Sequence, residues 1–215
     1  MREDRVDVAS YAELVGRVAD LLEEYDRDRP VYKTYQPGIG PFAEPRLVKD
    51  LARLLREEGI SAKTQQKPDL NVQDGAWGIE CKIVRPFGDN NRLAENWSIN
   101  LLHPYPGHES LIGDGLKLRG LEGFERKGLL AFGFEHDPVE VSLDPLVDSF
   151  ELVATRVCGV SLGPRIEEVR RGLVHPVHQV LRCFGWEVLP TRGEKPHNSV
   201  ALSLNTGHID RGEIA

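Results

Sequence analysis

Two carboxylates and a lysine give the first chemical suggestion in this chain. Pro68-Asp69 and Glu80-Cys81-Lys82 sit between apolar runs, with ten residues separating Asp69 from Glu80. Carboxylate oxygens hold a small hard cation such as Mg²⁺, which keeps several of its waters and leaves positions for substrate oxygens. A lysine beside such a pair can orient or polarise an attacking water. These residue types are the minimum apparatus for metal-dependent hydrolysis of a phosphodiester. That reaction builds negative charge on the phosphoryl oxygens and the leaving 3′-oxygen, and a divalent ion offsets both.

The elements that must position these groups are legible from periodicity. Trp77 to Val84 reads as a strand with Trp77, Ile79, Cys81 and Ile83 on one side and Glu80 and Lys82 on the other. Residues i and i+2 of a strand share a face, so Glu80 and Lys82 project side by side. Gln73-Asp74-Gly75 supplies a turn, Asp-Gly being a strong hairpin signal. Ahead of it, Ile60 to Gln66 and Pro68 to Val72 read as two further strands. Helical stripes cover Val8 to Tyr25 and the segment from Glu44-Pro45 to Gly59. Downstream, His108 to about Glu122 reads as a helix, Lys127 to Glu135 as a buried strand, and Ser142 to about Val157 as a helix. Val169 to Val177 and Leu181 to Leu189 read as a hairpin in preference to a Pro-kinked helix and one strand, and Val200 to Leu204 as a peripheral strand.

The order helix, strand, strand with Asp, turn, strand with Glu-x-Lys, helix, strand resembles the PD-(D/E)XK nuclease superfamily over roughly residues 44–157. The resemblance implies an α/β fold with a mixed central sheet flanked by helices, built on a restriction-endonuclease-like αβββαβ core. Residues 1–43 would be an N-terminal helical extension and 158–215 a C-terminal elaboration of the same single domain. It implies Asp69 and Glu80 as metal ligands, the backbone carbonyl of Cys81 as a third, and Lys82 at the nucleophilic water. An acid on the first core helix often joins such sites; Glu44 is the candidate, with Asp50 and Glu57 further along. The implied activity is Mg²⁺-dependent endonucleolytic cleavage of DNA, with Mn²⁺ as substitute, in a restriction or phage-defence role. A homodimer would supply the two sites that a two-strand cut needs.

The overall composition qualifies this picture. The net charge is −7, whereas nucleic-acid binders usually carry basic charge. The acids are unevenly spread: residues 1–29 hold nine acidic and five basic side chains, while residues 30–67 hold four and seven. A non-catalytic DNA-binding or assembly subunit with the same fold, dependent on a partner subunit, is therefore the alternative. A third reading makes Asp69 a turn residue and pairs Glu80 with Lys82 across a solvated strand face. No apolar run approaches the ~20 residues of a membrane span. Met1-Arg2-Glu3-Asp4-Arg5 lacks the apolar core of a secretory signal, and three cysteines with no ligand spacing suit a cytoplasmic chain.

Other candidates carry weaker signals. Asn90, Asn91 and Arg92, in a long unpatterned stretch, are types that read base edges or phosphates. Lys117 and Arg119 fit phosphate contacts or ordinary surface charge. His175 with His178, and His103 with His108, lack the further ligands that zinc requires. Pro37-Gly38-Ile39-Gly40-Pro41 reads as a rigid turn, since no Gly-Lys-Ser/Thr follows it.

Overall fold

A computed structural model describes residues 7–104 and 110–190 of the chain. Two amphipathic helices come first. Helix α1 (Tyr11–Arg27) starts at Ser10, whose hydroxyl accepts the Glu13 N–H, while the Glu13 carboxylate accepts the Ala9 N–H. This reciprocal arrangement satisfies donors that a helix start leaves open. Helix α2 (Glu44–Glu57) carries Pro45 in its first turn, where no N–H is needed. Leu47, Val48, Leu51 and Leu55 form its buried stripe.

The remaining elements are β1 (Ala62–Thr64), β2 (Leu70–Val72), β3 (Trp77–Val84), α3 (Ile99–Leu102), α4 (Leu111–Arg119), β4 (Arg126–Glu135), α5 (Asp144–Leu152), β5 (Ile166–Arg171) and β6 (Val180–Glu187). They build one six-stranded mixed sheet in the order β1-β2-β3-β4-β6-β5. Only β3 and β4 run parallel, in register from Trp77 opposite Arg126 to Val84 opposite Gly133. The long connection between them carries α3 and α4, as a parallel crossover requires.

The sheet separates two apolar layers. Ile79, Cys81, Leu130, Phe132, Leu181 and Cys183 pack with α1 and α2. On the other side, Leu129, Ala131, Phe184 and Trp186 pack with α4 and α5. Period-2 alternation along β3, β4 and β6 therefore serves both layers, and β3 is buried along its whole length. The chain is thus an α/β protein with an open mixed sheet and flanking helices.

Several boundaries depart from the sequence reading. The first two strands shrink to three residues each; beyond them the Gln65 N–H still donates to the Asp69 carbonyl at 3.2 Å, and the Gln65 amide donates to the Lys67 carbonyl at 3.0 Å in the turn that joins them. The hairpin turn is a 3₁₀ turn over Gln73–Gly75 in which Gln73 and Asp74 adopt positive φ. The helix expected to run to Val157 ends at Leu152 and continues as a π-type turn over Val153–Val157. The C-terminal hairpin is present, with β5 beginning three residues earlier than expected. The strand expected at Val200 to Leu204 lies outside the described residues. No helix among the described residues is long and apolar enough to cross a membrane.

Candidate active site

Strand β3 fixes the site. Leu70 pairs with Ile79 across β2 and β3. One step further along that register, Asp69 faces Glu80, and opposed residues of an antiparallel pair project on one face. The Asp69 carboxyl lies within hydrogen-bonding reach of Glu80, and its Oδ2 accepts the Cys81 N–H at 2.9 Å. Just past the end of β2, a side chain thus continues the ladder that the departing backbone abandons. The N–H and C=O of one strand residue point to the same side, so the Cys81 carbonyl faces this edge as well. The Cys81 thiol is buried in the opposite layer, where desolvation pushes its pKa well up, and it takes no part in the site.

Glu44 closes the same edge two residues along. Its Oε2 accepts the Ile83 N–H at 3.0 Å, and its Oε1 lies 3.2 Å from Lys82 Nζ. Lys82 also meets Asp114 Oδ2 at 3.3 Å, and Asp114 Oδ1 accepts from Lys117 Nζ at 2.8 Å. An alternating row Glu44–Lys82–Asp114–Lys117 therefore runs from the start of α2, across β3, to α4. The Lys82 and Asp114 side chains are 8% and 5% exposed, so the middle of this row is out of water, while Glu44 is partly exposed and Lys117 reaches solvent.

These surroundings set the protonation states. Burial would lower the Lys82 pKa, but the carboxylates of Glu44 and Asp114 outweigh it and hold the ammonium charged. Glu80 is pushed up to about 8, first by burial, then by the Asp69 carboxylate and its hydrogen bond, then by Asp114. Burial also raises Glu44, against the opposing pull of Lys82. Four carboxyls and two ammonium groups share the site. The surplus of negative charge, with Asp69 and Glu80 in contact, is a donor set that suits a small hard cation.

The structure brings Asp69, Glu80, Lys82 and Glu44 into one cluster, as the sequence reading groups them, and adds Asp114, for which that reading gives no signal. That residue lies 32 positions beyond Lys82, between two glycines, and only the α4 start at Ser110 aims it at the sheet. The reading of Glu80 and Lys82 as a solvated surface pair is excluded: each is 6% exposed, and Lys82 pairs elsewhere. Asp50 and Glu57 are away from the site, bonded to Arg46 and Arg53 respectively. Lys117 joins the site through Asp114, whereas Arg119 donates to the Gly159 carbonyl.

The other candidates take structural roles. Asn90 Oδ1 accepts the Arg92 N–H and so builds its own turn, and Asn91 Oδ1 lies 2.7 Å from His136 Nε2 and so ties that turn to the end of β4. His175 and His178 stack at 4.7 Å in a buried pocket. His178 is pushed down to about 2 by burial and by neighbouring Arg85, His175 and His136. His108 lies outside the described residues. Among the described residues, no group of three or more His, Cys, Asp or Glu side chains is arranged to hold a metal ion. Compared with protein-family models, with curated proteins and with solved structures, the chain matches none.

Proposed function

We propose that this chain is a metal-dependent endodeoxyribonuclease of the PD-(D/E)XK type. The observation that carries the proposal is the meeting of Asp69 and Glu80 on one face, beside a buried, charged Lys82. The element order from α2 through β1, β2, β3 and α4 to β4 agrees with the core that the resemblance implies. Mg²⁺ is commonly held by only one or two carboxylates with water completing its shell, so Asp69, Glu80 and the Cys81 carbonyl suffice as donors. Bound there, the ion supplies positive charge against the phosphate and the leaving oxygen.

The protein groups have separable tasks. Asp69 and Glu80 would fix the cation at the open end of β2. Lys82 would present its ammonium to the attacking water and a phosphoryl oxygen, stabilising charge that grows in the transition state. Glu44 and Asp114 would keep Lys82 protonated and aimed, and binding of phosphate would draw it from one of them. Lys117, exposed at the rim, would meet the nucleic-acid backbone. A second reading is a non-catalytic DNA-binding or assembly subunit. It is favoured by the acidic charge balance and by the two carboxylates already engaging Lys82.

Incubation of purified wild-type and Lys82→Ala protein with plasmid and linear DNA, under Mg²⁺, Mn²⁺ or EDTA, separates the two. Cleavage by wild type alone, abolished by EDTA, is the expected result. Binding of DNA without cleavage under any of these ions would move the reading to the subunit.

A further inference from the structure

A cavity of about 430 Å³ opens directly beside the candidate active site. Glu44 and Ile83 belong to both: they line the cavity, and they join through the Glu44 carboxylate and the Ile83 N–H next to Lys82. The other walls combine rings and polar groups. Tyr35, Phe87 and Trp97 supply flat surfaces, and Arg85, Asp89 and Asn100 supply donors and acceptors. We infer that this cavity takes a single nucleobase whose phosphate lies at the Asp69–Glu80–Lys82 site. The inference rests on reading that site as one for a phosphodiester.

Size and chemistry select this occupant. The volume is that of a small-molecule site and is far too narrow for stacked base pairs. Every base has a π-face that stacks on aromatic rings, and bases bound outside a duplex are recognised by stacking together with hydrogen bonds to their edges. The polar wall is held ready for such bonds. Asn100 Nδ2 donates to the Ile83 carbonyl at 3.0 Å, which leaves its Oδ1 as an acceptor. Arg85 is anchored by one Nη on the Gly40 carbonyl at 2.6 Å, with its other N–H groups remaining as donors.

The loop framing the cavity is braced both by its own hydrogen bonds and from outside. Gly88 N–H donates to the Arg92 carbonyl at 2.8 Å, and Ala94 N–H to the Pro86 carbonyl at 2.8 Å. Phe87 meets the His136 ring edge-on at 4.5 Å. Asp89 Oδ1 lies 3.4 Å from His178 Nε2. Residues 85–98 therefore form a built wall.

The two sources of such a base are a single strand and a nucleotide turned out of a duplex. Trp97 is only half-buried, whereas Trp77 and Trp186 are 2% and 0% exposed, so Trp97 dominates any response of tryptophan fluorescence to a bound base. The test titrates the full chain, in EDTA, with each deoxynucleoside monophosphate and with deoxyribose 5-phosphate. Saturable quenching by at least one nucleotide but not by the sugar phosphate is expected, and Trp97→Phe should remove most of the change. Labelled oligonucleotides, single-stranded and duplex, are then bound to wild type, Trp97→Ala and the exposed-ring variant Tyr35→Ala. Loss of about tenfold in affinity for both variants is expected on the single strand. An equal loss on the duplex identifies an extruded base, and none there restricts the pocket to single strands. No quenching, with both variants binding as wild type, overturns the inference even if the chain cleaves DNA. Quenching without cleavage overturns the nuclease reading and leaves the nucleobase pocket standing.

Discussion

Glu44 and Lys82 are 38 positions apart in the chain, yet the carboxylate and ammonium meet at 3.2 Å. The same carboxylate accepts the next residue's N–H at 3.0 Å, so one acid both caps the edge of β3 beyond its pairing with β2 and holds its lysine. Asp114 Oδ2 meets the same ammonium at 3.3 Å. Lys82 is therefore a structural cation as well as a candidate catalytic group.

Removing Lys82 should consequently damage two properties at once. Lys82→Met leaves two poorly solvated carboxylates without their shared cation, and losing one partner of a buried pair costs about 3–5 kcal/mol. Cleavage should fall at least ~100-fold, within the range of an acid–base or charge-stabilising group. Adding Asp114→Asn should restore much of the stability, since one orphaned charge disappears, but none of the activity. Urea denaturation and plasmid cleavage of the single and double variants check this. Recovery of cleavage in the double variant would assign Lys82 a purely structural role.

Glu80 gives the metal-free protein an alkaline weakness. Its folded pKa is raised to about 8, whereas the unfolded chain ionises near the ordinary carboxylate value of 4.5. Between those values the folded state binds the extra proton, so stability falls as pH rises, by at most about 1.4 kcal/mol per pH unit. Glu80→Gln cannot ionise and should flatten that slope in EDTA, while abolishing cleavage. Mg²⁺ should stabilise wild type at pH 8 and leave Glu80→Gln nearly unaffected. Thermal melts across this range, with and without Mg²⁺, distinguish the outcomes; an equal Mg²⁺ response in both proteins would place the cation elsewhere.

His178 acts with the opposite sign. Its pKa drops from 6.5 to about 2 on folding, because burial and then the adjacent Arg85 disfavour the imidazolium. Stability from this group is complete above pH 6.5 and is lost progressively as pH falls toward 2. In EDTA, the two trends offset each other between roughly pH 4.5 and 6.5 and leave decline on both sides of that window. His178→Gln should weaken the acid limb without touching the alkaline one. His175, also lowered by burial, keeps part of that limb. Melts from pH 4 to 8 measure both limbs in one series.

The legibility of this chain follows the range of its signals. Strand β3 was readable to the residue, because eight positions alternate between two buried layers and the chemistry itself demands the i, i+2 spacing. Asp69 was readable because a short turn ties it to that strand. Glu44 was readable only as an acid near a helix start; its grip on Lys82 depends on how α2 approaches the sheet edge. Asp114 and the cavity behind Glu44 were not readable at all. They arise where α4 and residues 85–98 are folded back across the sheet, and no local pattern encodes that return.

The seating of α1 offers a test of the fold that leaves the site untouched. Tyr11 donates its hydroxyl to the Leu129 carbonyl at 2.8 Å and stacks on Trp77 at 4.9 Å. Trp77 also carries Arg126 over its ring at 4.0 Å, whose guanidinium is held by both carboxylate oxygens of Glu187. This close approach is possible because Gly128 has no side chain: a Cβ there would lie 2.4 Å from Tyr11 Cζ. Gly128→Ala must push the ring away or bend β4, and overpacking of this kind costs about 1–3 kcal/mol, with about 1 more for the lost hydrogen bond. Gly128→Ala with Tyr11→Ala should relieve the clash, so the pair should cost less than the sum of the singles. Denaturant midpoints for the four proteins give the coupling, while cleavage per folded molecule should stay within about twofold of wild type, because the Tyr11 contact lies on the sheet face opposite Glu80 and Lys82. Strict additivity of the two substitutions would show that Tyr11 and Gly128 do not meet as described.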